Sequence, residues 1–364
     1  MTDIPGQTAL AAAHIDTVKI PAEPISATHG RTAGPTSYYQ DEQVTLLLGD
    51  ALETLRTLPD ASVDCIVTSP PYFGLRDYGI DGQYGLEASP VAYVETMRAV
   101  FAEAKRALVK DGTCWLNLGD SYARGNTGQG NDGPSSTLQG GTRPSFRGDA
   151  ATVSPAKRAG AGIPDKNLLM IPERTAIALQ DDGWILRSKV IWHKPNAMPE
   201  SVLDRPSNRY EHVFLLAKSS KYWFDLDAIR ESATGSPGRT WGERKQRGEP
   251  GRYGLASQAA VGTGGFAANE NGRNPGDLWA INTRPYAEAH FATMPVELAL
   301  RCVKAGCRPG GVVLDPFSGS GTTGEAARRL GRKYIGIDLN PAYHDLAVKR
   351  FAQGVLDFES EVGR

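Results

Sequence analysis

The last third of the chain alternates short apolar runs with amphipathic segments, and this alternation limits the possible folds more than any other feature. The predicted helices are "PVELALRCVKAG" (295–306), "GTTGEAARRLG" (321–331) and "NPAYHDLAVKRFAQGV" (340–355), and the strands between them are "GVVLDPF" (311–317) and "KYIGIDL" (333–339). Strands that alternate with helices are typical of parallel sheets, in which a helix carries the chain back to the same end of the sheet. We therefore predict an α/β fold with one doubly wound, mostly parallel sheet.

The earlier part of the chain repeats this pattern with two interruptions. We predict further strands at 44–50, 62–69, 113–120, 184–194 and 211–220, and further helices at 51–58, 89–112 and 168–183. Two glycine-rich tracts, 123–165 and 232–276, have too few apolar residues to pack a core, and we predict that they are mobile insertions. Residues 1–40 show no sustained period and predict a flexible arm, which leaves 41–231 and 277–356 for the folded domain.

The composition excludes several classes of protein. The four cysteines, Cys65, Cys114, Cys302 and Cys307, are too few for a disulfide framework and lack the spacing of a metal site, which favours the cytoplasm and no bound metal. No window approaches the ~18 unbroken apolar residues of a membrane span. The net charge is −1, so attraction to nucleic acid has to come from local clusters of basic residues.

A glycine-rich loop connects the last two predicted strands. Gly319, Gly321 and Gly324 satisfy the spacing G-x-G-x-x-G, and Asp338 ends the next strand about 20 residues beyond the first glycine. A carboxylate at that place can accept hydrogen bonds from a ribose, whereas the alternative for Asp338 is a simple turn role beside Asn340. The loop predicts a cofactor that contains adenosine.

The residues just before the glycine loop favour one of two classes of cofactor that contain adenosine. A dinucleotide places its pyrophosphate on the helix N-terminus, and the carboxylate of Asp315 at the strand end would repel it. The same carboxylate would attract a cationic amino group, and Phe317 offers a flat face to an adenine. These two residues favour S-adenosylmethionine over a nicotinamide dinucleotide.

A second unusual segment is "CIVTSPPYFGLRDYG" (65–79), in which an apolar strand stops at two adjacent prolines. The order of "TSPPY" (68–72) and "DPFSGSGTT" (315–323) resembles the amino-group DNA methyltransferases of the circularly permuted beta group, whose cofactor half follows the catalytic half. The segment "SKVIWHKPNAMPES" (188–201) is similar to that family's segment beside the target base, and "HFATMPVEL" (290–298) to its segment at the methionine end of the cofactor.

This resemblance extends over about 44–220 and 285–355. It implies a circularly permuted, Rossmann-like methyltransferase fold. It also implies an enzyme that uses S-adenosylmethionine, takes double-stranded DNA as its substrate, and has a cognate restriction endonuclease as a possible partner.

The resemblance implies a catalytic role for Ser69, Pro70, Pro71 and Tyr72. The exocyclic amine of a base is a poor nucleophile because its lone pair is delocalised into the ring, and the Ser69 hydroxyl and Pro70 carbonyl can accept its hydrogens. The prolines remove competing N–H donors and stiffen the loop. Tyr72 is expected to stack on a base that has swung out of the duplex, since the amine is out of reach while the base is paired.

Nine residues are expected to bind the cofactor. They are Asp50, Thr293, Asp315, Phe317, Gly319, Gly321, Thr322, Thr323 and Asp338. Asp50 could approach the adenine amino group if its strand lies beside the strand that ends at Asp338, or it could serve only in a turn.

The roles of several polar residues stay open. His193, Lys194 and Asn196 lie in the segment expected beside the flipped base, but each could equally lie on the surface. His212 begins an apolar strand and is expected to be structural.

Basic and aromatic residues concentrate in the tract 232–276. They are Arg239, Trp241, Arg244, Lys245, Arg247, Arg252, Tyr253, Phe266 and Arg273. Such side chains can hold phosphates and read guanine edges, which predicts a target-recognition insertion; the alternative is a solvated loop. The tract 123–165 is a weaker candidate for the same role.

The identity of the residue at position 69, a serine, predicts which atom of the base is methylated. In enzymes that resemble this chain, serine at this position usually accompanies cytosine N4 and aspartate usually accompanies adenine N6. We therefore expect N4 methylation of cytosine in duplex DNA, in the cytoplasm and at the nucleoid. The alternatives are adenine N6 methylation, methylation of RNA or protein, a nicotinamide oxidoreductase, and a DNA-binding module without catalysis.

Overall fold

The computed structural model describes residues 36–77, 79–123, 163–232, 271–284 and 294–362. Its strands are β1 (Thr36–Gln40), β2 (Val44–Leu48), β3 (Val63–Thr68), β4 (Leu108–Leu118), β5 (Ile185–His193), β6 (Tyr210–Ala217), β7 (Leu278–Ala280), β8 (Val312–Asp315) and β9 (Lys333–Asp338). They form one nine-stranded sheet in the order β1-β2-β9-β8-β3-β4-β6-β5-β7.

The sheet is mostly parallel, as predicted. β2, β9, β8, β3 and β4 are paired in parallel, β7 is parallel to β5, and the antiparallel pairs are β1–β2, β4–β6 and β5–β6. The carboxyl ends of the parallel strands therefore meet at one edge of the sheet.

Helices cover both faces of the sheet. They are α1 (Ala51–Thr57), α2 (Pro90–Ala107), α3 (Ile171–Asp181), α4 (Val296–Gly306), α5 (Thr322–Arg329) and α6 (Pro341–Val362), with one 3-10 turn at Asp227–Ile229. One face packs α1, α2 and α3 through Leu55, Met97 and Leu179. The other packs α4, α5 and α6 through residues such as Val303 and Phe351. The predicted doubly wound α/β fold is confirmed.

Two helix boundaries show how local chemistry sets the elements. Ser89 caps α2, since its side chain accepts a hydrogen bond from the Ala92 N–H at 3.1 Å, and Pro90 occupies the first turn as predicted. The helix ends at Ala107 rather than near residue 112. Leu108 is fully buried and extended, and it already pairs with Val63 of β3.

Two predicted boundaries were wrong at their ends. Residues 36–40 of the expected flexible arm form β1, an edge strand in which the Tyr38 hydroxyl donates to Asp345 at 2.7 Å. The bridge between Tyr122 and Leu168 lies just outside the first tract, 123–165, and leaves that predicted boundary as it was. At the second, Glu231 and Arg273 form a bridge. Residues 1–35 and the interiors of the two tracts, 124–162 and 233–270, lie outside the described residues.

The cysteines contribute to packing. Cys65, Cys114, Cys302 and Cys307 are all buried, and none of them is in a disulfide. Burial raises the pKa of each thiol. Among the described residues, no group of three or more His, Cys, Asp and Glu side chains is placed to hold a metal ion. Within the same ranges, no helix is long and apolar enough to span a membrane.

Candidate functional site

A large cavity opens at the carboxyl edge of the sheet, where β3 lies beside β8. The chain leaves β3 toward β4 and leaves β8 toward β9, in opposite directions across the sheet, and such a switch point creates a crevice. The cavity has a volume of about 1570 Å³, and its walls include both the glycine loop and the Ser69–Tyr72 segment.

Asp315 lies at the centre of this crevice. Its carboxylate accepts a hydrogen bond from the Thr68 hydroxyl at 2.7 Å, across the β3–β8 pair, and another from the Phe317 N–H at 3.0 Å. The side chain is 3% exposed, and this burial raises its pKa to about 6. A buried carboxylate in a cavity wall is well placed to receive a cationic group.

Asp338 ends β9 and also lines the cavity. Its two oxygens accept hydrogen bonds from the Gly319 and Asn340 N–H groups, each at 2.8 Å. Burial raises its pKa to about 6. The predicted contact with a ribose and the alternative turn role beside Asn340 are therefore both compatible with its position.

Asp50 and Phe317 are connected by a residue that the sequence did not indicate, Tyr84. Asp50 caps α1 by accepting the Glu53 N–H at 3.0 Å, and its other oxygen accepts the Tyr84 hydroxyl at 2.9 Å. The Tyr84 ring packs edge-on against Phe317, with ring centroids 5.2 Å apart. Tyr84 and Phe317 line the cavity, as do Gly49 and Ala51 beside Asp50. The two aromatic rings are nearly perpendicular, and they provide apolar surface at this end of the cavity.

Two residues of the glycine loop make packing contacts that their motif spacing does not indicate. Gly321 has φ of +77°, and a Cβ there would lie 2.7 Å from the Cβ of Ala347, so its absence lets the loop pack on α6. The Thr323 hydroxyl donates to the Val67 carbonyl at 3.3 Å, and its side chain is fully buried, which fastens α5 to β3. Gly319, Thr322 and Thr323 border the cavity, whereas Thr293 lies outside the described residues.

The Ser69–Tyr72 segment forms the opposite end of the cavity. The Pro71 carbonyl accepts the Tyr93 hydroxyl at 3.0 Å, which anchors the loop on α2. Ser69 and Pro70 both border the cavity at this end, and their role as acceptors for an amine stays a prediction.

Tyr72 is held more firmly than a simple stacking role requires. Its hydroxyl lies 2.6 Å from Glu211 Oε2, 3.1 Å from Asn117 Oδ1 and 3.3 Å from Ser69 Oγ. Its ring lies against Gly119, where an added Cβ would come within 2.5 Å of the ring. The predicted stacking of Tyr72 on a base stays a prediction.

The polar residues whose roles stayed open have separate roles in the structure. Lys194 lines the cavity and pairs with Glu211 at 2.9 Å. The side-chain amide of Asn196 exchanges hydrogen bonds with the backbone of Thr283, both at 2.9 Å, and holds two loops together. His212 is 6% exposed and borders the cavity, and burial lowers its pKa; its structural role stays a prediction. His193 ends β5.

Comparisons with known proteins agree on one family. A family model described as DNA methylase matches residues 63–349. The Type II methyltransferase M.Cfr9I of Citrobacter freundii is 44% identical over 306 residues, which cover 84% of this chain and 87% of that protein. M.SmaI of Serratia marcescens is 40% identical, over 84% of this chain and 89% of its own.

Solved structures share the fold. The cytosine-N4-specific PvuII DNA methyltransferase has a TM-score of 0.57 and 20% identity, over 87% of this chain and 89% of its own. A Thermus thermophilus protein solved in complex with S-adenosyl-L-methionine has a TM-score of 0.50 and 24% identity, over 86% of this chain and 96% of its own. By the family model and the curated relatives, the chain belongs to the DNA methylase family and is an amino-group DNA methyltransferase.

Proposed function

We propose that this protein transfers the methyl group of S-adenosylmethionine to the N4 amine of a cytosine in double-stranded DNA. The observation that carries the proposal is that one cavity joins the glycine loop to the Ser69 and Pro70 acceptors. The choice of cytosine rests on serine at position 69, and the fold is shared with a methyltransferase that is cytosine-N4-specific. By analogy with the Type II relatives, a cognate restriction endonuclease recognises the same sites, and the enzyme acts on nucleoid DNA in the cytoplasm.

The cofactor end of the cavity fits S-adenosylmethionine. Two carboxylates, Asp315 and Asp338, suit its ammonium group and its ribose hydroxyls, and the rings of Phe317 and Tyr84 suit its adenine. The buried carboxylate of Asp315 favours a cationic ligand, because the hydroxyl and the N–H that donate to it are both neutral groups. The bound cofactor supplies an electrophilic methyl group.

The chain's own residues prepare the base. Ser69 Oγ and the Pro70 carbonyl accept the hydrogens of the target amine, which favours a tetrahedral nitrogen and aims its lone pair. Tyr72 stacks on the flipped base, and Lys194 lies across the same end of the cavity. The amine is out of reach while the base is stacked and paired, so we expect the base to leave the duplex.

The class of reaction is tested by supplying S-adenosylmethionine with a labelled methyl group to duplex DNA, single-stranded DNA, RNA and protein. We expect label in duplex DNA, and we expect calorimetry to detect binding of S-adenosylmethionine but not of a nicotinamide dinucleotide. Label in RNA or protein alone, or binding of the dinucleotide, would contradict the proposal.

Cofactor affinity is expected to fall as the pH is lowered from 7.5 to 5. Before the cofactor binds, Asp315 and Asp338 each have a pKa of about 6, above the value of about 3.9 for an unfolded aspartate. Both carboxylates therefore favour the folded state in their neutral form, a contribution present below pH ~4 and lost as the pH rises through ~6. A cationic ligand binds the ionised forms, so binding below pH 6 must displace protons.

Each displaced proton lowers the affinity about tenfold per pH unit below the pKa, so the two carboxylates together lower it by up to about 100-fold at pH 5. Calorimetry at both pH values measures this fall. Asp338→Asn should make the pH dependence shallower, and equal wild-type affinity at pH 5 and 7.5 would show that neither carboxylate meets the cofactor.

Gly119→Ala is expected to slow methylation about 100-fold, because a displacement of about 1 Å in a positioned group has effects of this order. The added Cβ would lie 2.5 Å from the Tyr72 ring, which its hydroxyl contacts prevent from moving freely. Single-turnover methylation measures the rate, and cofactor affinity should stay at the wild-type value. A variant with the wild-type rate would show that the position of Tyr72 is not critical.

A further inference from the structure

A chain of hydrogen bonds leads from the acceptor Ser69 to a carboxylate that the sequence did not indicate. Ser69 Oγ lies 3.3 Å from the Tyr72 hydroxyl, and the Tyr72 hydroxyl lies 2.6 Å from Glu211 Oε2. Glu211 is on β6, whose first residues lie at the carboxyl edge of the sheet because β6 is antiparallel to β4. The fold thus brings together residues that are 139 positions apart in the sequence.

In this chain of hydrogen bonds, the two hydroxyl groups donate in the same direction, from Ser69 toward Glu211. An ionised Glu211 only accepts hydrogen bonds, so the Tyr72 hydroxyl donates to it. Burial, and next the charge of Glu211, raise the pKa of Tyr72 well above its usual value, so this hydroxyl keeps its proton at neutral pH. Ser69 then donates to the Tyr72 oxygen, which leaves the lone pairs of Ser69 Oγ for the hydrogens of a substrate amine.

Glu211 itself is fixed and charge-compensated. The Asn117 side-chain amide donates to Glu211 Oε2 at 3.1 Å and to the His212 carbonyl at 3.1 Å. Lys194 donates to Glu211 Oε1 at 2.9 Å, and the side chains of Glu211 and Lys194 are only 15% and 20% exposed. One carboxylate oxygen of Glu211 accepts a hydrogen bond from Lys194, and the other accepts one from Tyr72. These two contacts hold the side chain of Glu211 in one position.

We propose that Glu211 is a positioning residue of the transfer and the final proton acceptor of a Ser69–Tyr72–Glu211 relay. This inference rests on the proposed function, since it concerns the amine that Ser69 receives. It goes beyond that function because it assigns the destination of the proton that the amine must lose.

The step balances in atoms and charge. The amine nitrogen would form a bond to the methyl carbon with its lone pair, the sulfur–methyl bond of the donor would break with its electron pair left on sulfur, and one N–H bond of the amine would break. That proton passes to Ser69 Oγ, the Ser69 proton passes to the Tyr72 oxygen, and the Tyr72 proton passes to Glu211. The positive charge of the methyl donor and the negative charge of Glu211 disappear together, and no further reactant is needed.

The test compares Glu211→Gln, Tyr72→Phe and the double variant in single-turnover methylation of duplex DNA. Glutamine keeps a hydrogen-bond acceptor for Tyr72 but is a far weaker base, and phenylalanine keeps the ring but breaks the chain. Each single variant is expected to be about 100-fold slower, the size of a general-base contribution, with unchanged dissociation constants for cofactor and DNA. The double variant should be no slower than the slower single variant, because both remove the same relay.

Glu103→Gln is the matched control. Glu103 also pairs with a basic residue, Arg106, at 2.7 Å, but it lies on α2 and does not line the cavity. The Glu103→Gln variant should methylate at the wild-type rate, whereas Glu211→Asp should recover part of the rate lost in Glu211→Gln.

Two results would overturn the relay: a wild-type rate for Glu211→Gln, or losses from the two single variants that multiply in the double variant. Loss of cofactor binding in Glu211→Gln would also overturn it, because Glu211 would then be structural. A wild-type product other than N4-methylcytosine refutes the proposed target instead. The relay is still tested in that case, since an adenine amine also loses a proton.

Discussion

Excising residues 233–270 is expected to abolish sequence-specific methylation while leaving cofactor affinity unchanged. These residues hold most of the basic and aromatic side chains of the second tract, in a chain whose net charge is only −1. Phosphate contacts and base-edge contacts require such side chains, and the residues proposed to bind the cofactor and the amine lie outside this segment. We therefore propose that this segment is the target-recognition insertion.

The fold offers a clean way to make this excision. The Glu231 N–H donates to the Arg273 carbonyl at 3.0 Å, and the Arg273 N–H donates back at 2.9 Å, so the two ends of the segment are adjacent. A short Gly-Ser linker can join them. Methylation is measured by sequencing modified bases across a genome, and cofactor affinity by calorimetry.

Excision of residues 124–162 is the matched control. Ala123 exchanges hydrogen bonds with Asn167 and Lys166 at 2.8 and 2.9 Å, so this segment can also be closed with a short linker. We expect this variant to methylate the same DNA sites as the wild-type enzyme. If the enzyme without 233–270 modifies the same sites as the wild type, recognition lies elsewhere, and 124–162 is the next segment to test.

Ser69→Ala is expected to slow methyl transfer about 1000-fold, the upper range for removing one preorganised group at a reacting centre. The change removes one of the two acceptors for the amine and leaves the Pro70 carbonyl in place. It leaves the cofactor end of the cavity intact, so the loss should appear in the single-turnover rate and not in the dissociation constant for S-adenosylmethionine.

Ser62→Ala serves as the control for this substitution. Ser62 precedes β3, and its hydroxyl donates to the Pro59 carbonyl at 2.7 Å, away from the cavity. The Ser62→Ala variant should transfer the methyl group at the wild-type rate. A Ser69→Ala enzyme within about twofold of the wild-type rate would mean that the serine does not hold the amine, since a lost acceptor at the reacting nitrogen has a much larger effect.

The sequence predicted the sheet because its parallel strands are mostly short apolar runs that alternate with amphipathic helices. Ser69, Asp315 and Asp338 each follow or end a strand, and parallel strands place such residues at one edge of the sheet, where all three border the cavity. Their roles in binding and catalysis stay predictions. The sequence did not indicate β1, since "TSYYQ" is a short edge strand without clear alternation and is fixed partly by a contact between Tyr38 and Asp345, 307 positions apart.

The residues that sequence analysis missed depend on contacts between distant segments. Glu211 and Asn117 look like ordinary polar residues of apolar strands until β4 and β6 are paired. Gly321 and Thr323 fit the cofactor motif by spacing, but their surroundings include Ala347 and the Val67 carbonyl, which no local pattern reveals. Motif spacing locates the loop, whereas tertiary packing decides what each of its residues contacts.

The most direct test of the central claim is the chemical identity of the methylated base. Duplex DNA methylated by the purified enzyme is digested to nucleosides, and the products are resolved by mass spectrometry. We predict N4-methylcytosine. N6-methyladenine as the only product would contradict the assignment of cytosine, and C5-methylcytosine would contradict the amine mechanism as well.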